Sequence, residues 1–562
     1  MSTEADTHPL RRRYTDEALR YLPRLFQMVD RNPYSETYGC FDRSYWHYRT
    51  MDFPCGMCQE FCLPLALAYS QPFPDNPYHG VERVRELALA GADYARRSSH
   101  PDGSCDDYFP FERALGALVF SLNACAETAL ALDDRRPEIL EFLARRADYL
   151  RAHNETGRLT NHQALAALAL HNVYLLTGEN RFRDASAAFV DIARSWFHPD
   201  EGWFQEYEGA DPGYQSCTIS FLARLFKKSG DAALLDLLNP AVDFCWHFMH
   251  PDGSYAGEYG SRNTYHFYPC GFEVMAPHNQ RAAQIADQFL TRALPARTRY
   301  FNDDDRMCAH YLYDWMLAWA DFSPVRADTP LNSHPPFQKY FPGARIYVEK
   351  TAQYHAVLSL AKGGVLKITT GAGPLYSDTG LIGKTHDQQV VVSHMIDEHK
   401  VTADLEAHRL CVSGLMCARK QKYAAPLTQI VFRLVNMTLG RFAPNFLRAM
   451  LQKILITGKS RTVYRFTREF EFHPGRALIT NRMSKPAVSP PLTSLHIGSD
   501  ATSIYVANSN VYQRSVLLPW RELPVLREQL NMANQGQETV LVECGEHNDD
   551  ENMPAKNSDC AR

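Results

Sequence analysis

Two short polar clusters open strongly apolar helical runs in this chain, Asn161-His162-Gln163 and Pro212-Gly213-Tyr214-Gln215. Tyr214 follows Asn161 by 53 residues, a spacing that suits equivalent positions in successive helical hairpins, so an amide, an imidazole and a phenol can meet at one rim. Those three groups are what acid/base chemistry on a uronic acid sugar requires. Withdrawing the proton beside a uronate carboxylate adds negative charge to a group that already carries one, so the carboxylate must be neutralised by hydrogen-bond donors, and Asn161 and His162 can supply them. A base must take the proton and an acid must protonate the departing glycosidic oxygen. Tyr214 can serve in either role if neighbouring cations, with Arg224 and Arg262 as candidates, pull its phenol below the ordinary pKa of ~10.

A second cluster, Glu258-Tyr259-Gly260-Ser261-Arg262-Asn263-Thr264-Tyr265-His266-Phe267-Tyr268, holds more polar and aromatic equipment than a helix connector needs. Glu258, Arg262, Asn263, Tyr265 and His266 are therefore expected to line a substrate groove, with Arg262 clamping a carboxylate and Tyr265 or His266 standing in for Tyr214. Three segments repeat a turn followed by acidic and aromatic residues: His100-Pro-Asp-Gly-Ser, His198-Pro-Asp-Glu-Gly and His250-Pro-Asp-Gly-Ser. If each lies at the same end of stacked hairpins, Tyr108, Trp203, Tyr207, Tyr255 and Tyr259 line one groove, although the same aromatics serve equally well as plugs closing helix ends. Trp46, in the dense loop Asp42–Tyr48, is a further sugar-stacking candidate beside a structural reading of the same ring.

These residues need a scaffold, and the chain divides into two kinds. Residues 1–325 read as helix after helix, with apolar positions at three- and four-residue spacing in 111–131, 161–177, 215–229 and 231–249, a helical-hairpin array. A Pro-rich linker at 326–344 precedes short Val-, Ile-, Thr- and Tyr-rich segments over 345–546, which read as antiparallel strands. Residues 431–459 interrupt the strands with a basic amphipathic stretch, expected as a helix packed on the sheet rather than lying on a membrane. The polar tail 547–562 is expected to be disordered.

A chain of 562 residues with 45% hydrophobic and 22% charged residues can bury large cores in several domains. A net charge of −5 gives no field for a nucleic-acid backbone. The N-terminus MSTEADTHPLRRRYTDEALRYL lacks the apolar core of a signal peptide and no later run reaches a membrane span, which predicts a cytoplasmic protein. The fourteen cysteines sit mostly in apolar helical runs, the pattern of reduced, buried thiols. Cys55, Cys58 and Cys62 share a helical face and read more readily as core than as ligands for a metal or cluster.

A helical half followed by a strand-rich half, with Asn161-His162 opening one helix and Pro212-Gly213-Tyr214-Gln215 some fifty residues later, resembles the heparinase II/III-like polysaccharide lyases and the related alginate and oligoalginate lyases over about residues 30–540. The resemblance implies a multidomain α+β protein, an incomplete (α/α) toroid followed by an antiparallel β-sandwich. It implies β-elimination beside a uronic acid, with an anionic uronate-containing glycan as partner. No cofactor is expected from the sequence; His and Asp residues of the sandwich could hold a structural divalent metal, but no spacing is specific enough to name its ligands. The resemblance also implies a sandwich-domain histidine that completes the site, with His386 first and His355 second. Two other readings stay open. One is a glycoside hydrolase using two of Asp106, Asp107, Glu206, Glu208 and Glu258 across the groove. The other is a glycan-binding protein without catalysis. Homo-oligomerisation is left open as well.

Overall fold

A computed structural model describes residues 8–155, 157–293, 308–419, 425–440, 442–443, 446, 450, 459–502 and 514–544. Among these residues, twelve principal helices precede the two larger sheets: α1 (Arg11–Met28), α2 (Cys62–Ser70), α3 (Glu82–Arg97), α4 (Leu115–Leu132), α5 (Pro137–Ala152), α6 (Thr160–Thr177), α7 (Asn180–Ser195), α8 (Pro212–Ser229), α9 (Leu235–Trp246), α10 (Cys270–Met275), α11 (Gln280–Gln288) and α12 (Ala309–Ala320). The even-numbered helices pack side by side in order and α12 returns to α2, forming an inner ring, while the odd-numbered helices lie outside it.

Composition explains the layering. Helix α4 carries one charged residue, Glu127, and is buried on nearly every face. Helix α3, by contrast, turns Val84, Leu87, Ala88 and Ala92 inward and its arginines and glutamates to water. Against the expectation of no membrane-length run, α4 has the length and apolarity of a span, but 83% of it is buried inside the ring. Gly178 and Gly230, at φ 73° and 71°, stop α6 and α8 in the left-handed conformation that side chains resist.

The first strand of the two larger sheets, β1 (Phe337–Phe341), falls inside the segment expected to be linker. It opens a five-stranded antiparallel meander with β2 (Ile346–Lys350), β3 (His355–Ser359), β4 (Val365–Thr370) and β5 (Gly373–Asp378). The second sheet contains β6 (Leu381–Thr385), β7 (Val390–Val392), β8 (Lys400–Asp404), β9 (Arg409–Arg419), β10 (Arg461–His473), β11 (Arg476–Ser484), β12 (Leu492–Ile497), β13 (Arg521–Glu522) and β14 (Gln535–Glu543). Its order is β13-β12-β6-β7-β9-β10-β11-β14, with β8 added at β9. The two sheets form a sandwich.

Strands β2 and β3 are buried at every position. Ile346, Val348, Val357 and Val365 belong to the core of the helical ring, whereas Tyr347, Leu358, Leu366 and Ile368 belong to the core shared with the second sheet. The smaller sheet therefore lies between ring and larger sheet, and a strand covered on both faces has no reason to alternate polar and apolar residues. Between the sheets, the fully buried Arg468 guanidinium holds Asp378 bidentately and donates also to the Gly364 carbonyl and Asn481 Oδ1.

Candidate functional site

The two clusters that open helical runs do lie at equivalent places. Thr160 begins α6 and Pro212 begins α8. The start of α8 is fixed by Asp211, whose side chain accepts the Tyr214 amide at 3.0 Å and the Arg262 amide at 2.8 Å and also takes the Thr264 hydroxyl. With Pro212 pre-set for the first helical position, this one carboxylate fixes both Tyr214 and the loop that carries Arg262. The start of α6 is pinned by a three-stranded sheet, Phe197–His198, Trp203–Glu206 and Gly209–Ala210. Thr160 Oγ1 donates to the Gln205 carbonyl at 2.6 Å, and Asn161 Nδ2 to Glu206 Oε1 at 2.8 Å.

Glu206 is the hub of what results. It is buried, and burial raises its carboxyl to about 7 even though His162, Asn161 and Arg262 all favour the charged form. His162 lies partly open beside it, its Nδ1 held by Glu155 at 3.2 Å, and Nε2 makes no hydrogen bond to a described residue. The buried Arg262 guanidinium sits 4.1 Å over the Tyr207 ring, and no described carboxylate forms an ion pair with it. Its Nε, Asn161 Oδ1 and the Nε2 of buried His266 are all without partners. Such atoms are uncommon in a folded interior, and three in one place make this cluster the candidate site.

Tyr214 is half-buried, with its ring 5.0 Å from that of His266 and its hydroxyl free of hydrogen bonds to the described residues. Burial pushes its phenol well above 10, and the Arg262 cation is outweighed. The expected depression does not occur. Arg224 contributes nothing here because it is paired at 2.5 Å with Glu127 on α4. His266, whose Nδ1 faces the Tyr311 hydroxyl, is held neutral by burial and by the nearby His310 and Arg262.

No protein-family model and no curated protein sequence matches this chain. Among solved structures, it is similar to the Streptomyces coelicolor A3 chondroitin AC lyase in complex with chondroitin sulphate, with a TM-score of 0.53 at 9% identity, over 88% of this chain and 69% of that one. The chain has the fold of a toroid polysaccharide lyase. Heparan sulfate lyase HepC from Pedobacter heparinus matches with TM-score 0.42 at 11% identity over 87% of this chain and 70% of its own. An unsaturated glucuronyl hydrolase from Bacillus sp. GL1 matches with TM-score 0.38 at 15% identity, over 55% of this chain and 96% of its own.

Within this lyase fold, Asn161, His162, Tyr214, Tyr207, Arg262 and His266 come together as expected. Asn263 accepts from the Lys362 ammonium of the sandwich, which also holds the Glu258 and Gly260 carbonyls, so it braces the Arg262 loop. Glu258 and Tyr265 lie in the same loop, fully or nearly fully buried under Lys367, whose ammonium is 4.9 Å from the Tyr265 ring centroid. Other expectations fail. Trp203 is 2% exposed, stacked on His198 at 3.6 Å with its indole N–H on Glu201, so it cannot present a face to sugar. Tyr255 and Tyr259 are core residues bonded to the Pro212 carbonyl and to His250. The repeated His-Pro-Asp-Gly-Ser segments are matching turns closed by Gly103 and Gly253 at φ 87° and 83°. Trp46 is half-buried and donates to the Met28 carbonyl, while Tyr108 is exposed on its loop.

The sandwich histidine is the largest correction. His386 is exposed in the hairpin between β6 and β7, and His355 is bonded to the His247 carbonyl outside the cluster. His394, in contrast, is a buried sandwich histidine in the field of Lys362, and burial with Lys362 and Arg419 lowers it to about 3. Ile396, two residues on, approaches Gly209 of the small sheet. Of the five carboxylates suggested for a hydrolase, three are otherwise engaged: Asp106 with His100 and two backbone amides, Asp107 with Cys55 and Glu208 with Lys459. The thirteen described cysteines are free, and no metal-binding group of His, Cys, Asp or Glu occurs among the described residues.

Proposed function

We propose that this protein is a lyase acting on uronate-containing glycans by β-elimination. The observation that carries the reading is Arg262, a buried cation with no described carboxylate partner, set beside Glu206, Asn161, His162 and Tyr214. An uncompensated buried charge is costly, and an incoming uronate carboxylate supplies the missing partner. Glu206, protonated below about 7, can donate a further hydrogen bond to that carboxylate. The carboxylate so neutralised lets the adjacent carbon release its proton to His162, whose Nδ1 is oriented by Glu155 and whose Nε2 is open. The electron pair left behind forms the carbon–carbon double bond as the glycosidic C–O bond breaks. Tyr214 then protonates the departing oxygen, a role for which a phenol held above 10 is suited because it keeps its proton until that moment.

The test is ultraviolet absorbance from the new unsaturated uronate on a panel of uronate-containing poly- and oligosaccharides. Absorbance should rise with the parent protein, and Tyr214→Phe and His162→Ala should each slow it by about 10²- to 10⁴-fold. New reducing ends without absorbance would assign the site to hydrolysis, and glycan binding without turnover would assign it to recognition alone.

A further inference from the structure

The described part of the basic insertion does not pack on the sandwich as its amphipathicity suggests. Its helix, α13 (Pro426–Val435), has no buried residue and is continued by a wider turn, Asn436–Gly440. Leu427, Ile430, Val431, Leu434 and Met437 are each more than half exposed, and their spacing of three, one, three and three puts them on one side. The other side is the anchored one. Phe432 meets Phe109 edge-to-face at 5.1 Å, Arg433 pairs with Asp52 and Asn436 is buried. This reverses the usual arrangement, in which a surface helix turns its apolar stripe inward and its polar stripe to water. Phe442 and Phe446 continue the exposed apolar surface.

We propose that α13 seats the protein on an anionic lipid surface. The occupant is chosen by charge. Residues 419–461 contain nine Lys and Arg and no Asp or Glu, in a chain whose net charge is −5. Three of the nine, Arg433, Lys459 and Arg461, are held by Asp52, Glu208 and Asp397, and the insertion's sequence keeps a basic excess beyond them. An apolar stripe of aliphatics and phenylalanines within a uniformly basic segment is the composition of an interfacial helix: the stripe enters the acyl boundary while cations meet anionic headgroups. The loops that anchor α13 add amphipathic aromatics, since Tyr48 and Tyr108 are both more than half exposed on them.

The experiment is co-sedimentation of the full chain with phosphatidylcholine vesicles, with and without phosphatidylglycerol, at low and high salt. Binding should need phosphatidylglycerol, weaken with salt and fall by roughly tenfold or more in Ile430→Glu/Leu434→Glu, whose exposed positions leave the fold, read by circular dichroism, intact. Lipid binding that the double variant keeps would overturn the proposal. So would the absence of binding, and if size-exclusion chromatography then gave a dimer that the same variant abolished, the stripe would be a self-association surface.

Discussion

At the scale of single residues, Glu206 is the group that would set the working pH of the proposed reaction. Because burial raises it to about 7, it is a neutral donor below that value and an anion above it, facing in that reaction a substrate that is itself anionic. KM should therefore climb as pH rises through about 7, approaching tenfold per unit, while Glu206→Gln, neutral at every pH, should show a flat profile. Initial rates on one substrate across pH decide this, and a rise retained in the variant would assign the titration elsewhere. Asn161, Tyr214 and Arg262 were legible in the sequence because polar residues at helix starts and in an over-equipped loop stand out. His394 was not. It stands in Ser393-His394-Met395, with no flanking pattern, and gains its position only when the sandwich folds down on the ring. Tyr214 was legible as a residue but not in its titration, since the burial that raises it comes from neighbours distant in sequence.

At the scale of elements, Asp211 joins α8 to the Arg262 loop. Asp211→Ala orphans the Tyr214 and Arg262 amides and the Thr264 hydroxyl together, and should cost about 2–4 kcal/mol in denaturant unfolding while lowering turnover. Glu127 ties the inner helices in a different way. Burial opposes its charge, but Arg224 and Lys228 outweigh burial and hold the carboxyl at about 2, against 4.5 ordinarily. Since the folded value is depressed, the resulting roughly 3 kcal/mol is present above about pH 4.5 and lost as pH falls toward 2. Chemical denaturation at about pH 5 and about pH 3 should reveal that loss in the parent and a shallower one in Glu127→Gln. The helices themselves were readable from periodicity, with α6 and α8 beginning within three residues of their expected starts. The small sheet at 197–210 was hidden because its strands are two to four residues long, too short for any alternation to register.

At the scale of the whole molecule, the order of helical half, strand-rich half and interrupting insertion was visible in composition alone. How the halves meet was not, because it depends on Lys362 and Lys367 of the smaller sheet reaching buried acceptors and rings of the helical half. That sheet, whose strands β2 and β3 have no face toward water, has a thermodynamic consequence. Melting the ring alone would strip one side of β2 and β3, and melting the larger sheet alone would strip the other. Neither half can be lost without exposing the apolar surface that the survivor needs covered. Differential scanning calorimetry should accordingly give one endotherm, with van't Hoff and calorimetric enthalpies in agreement, where two loosely tethered domains would give two. A protein cut near residue 330 should yield two insoluble fragments rather than two working parts.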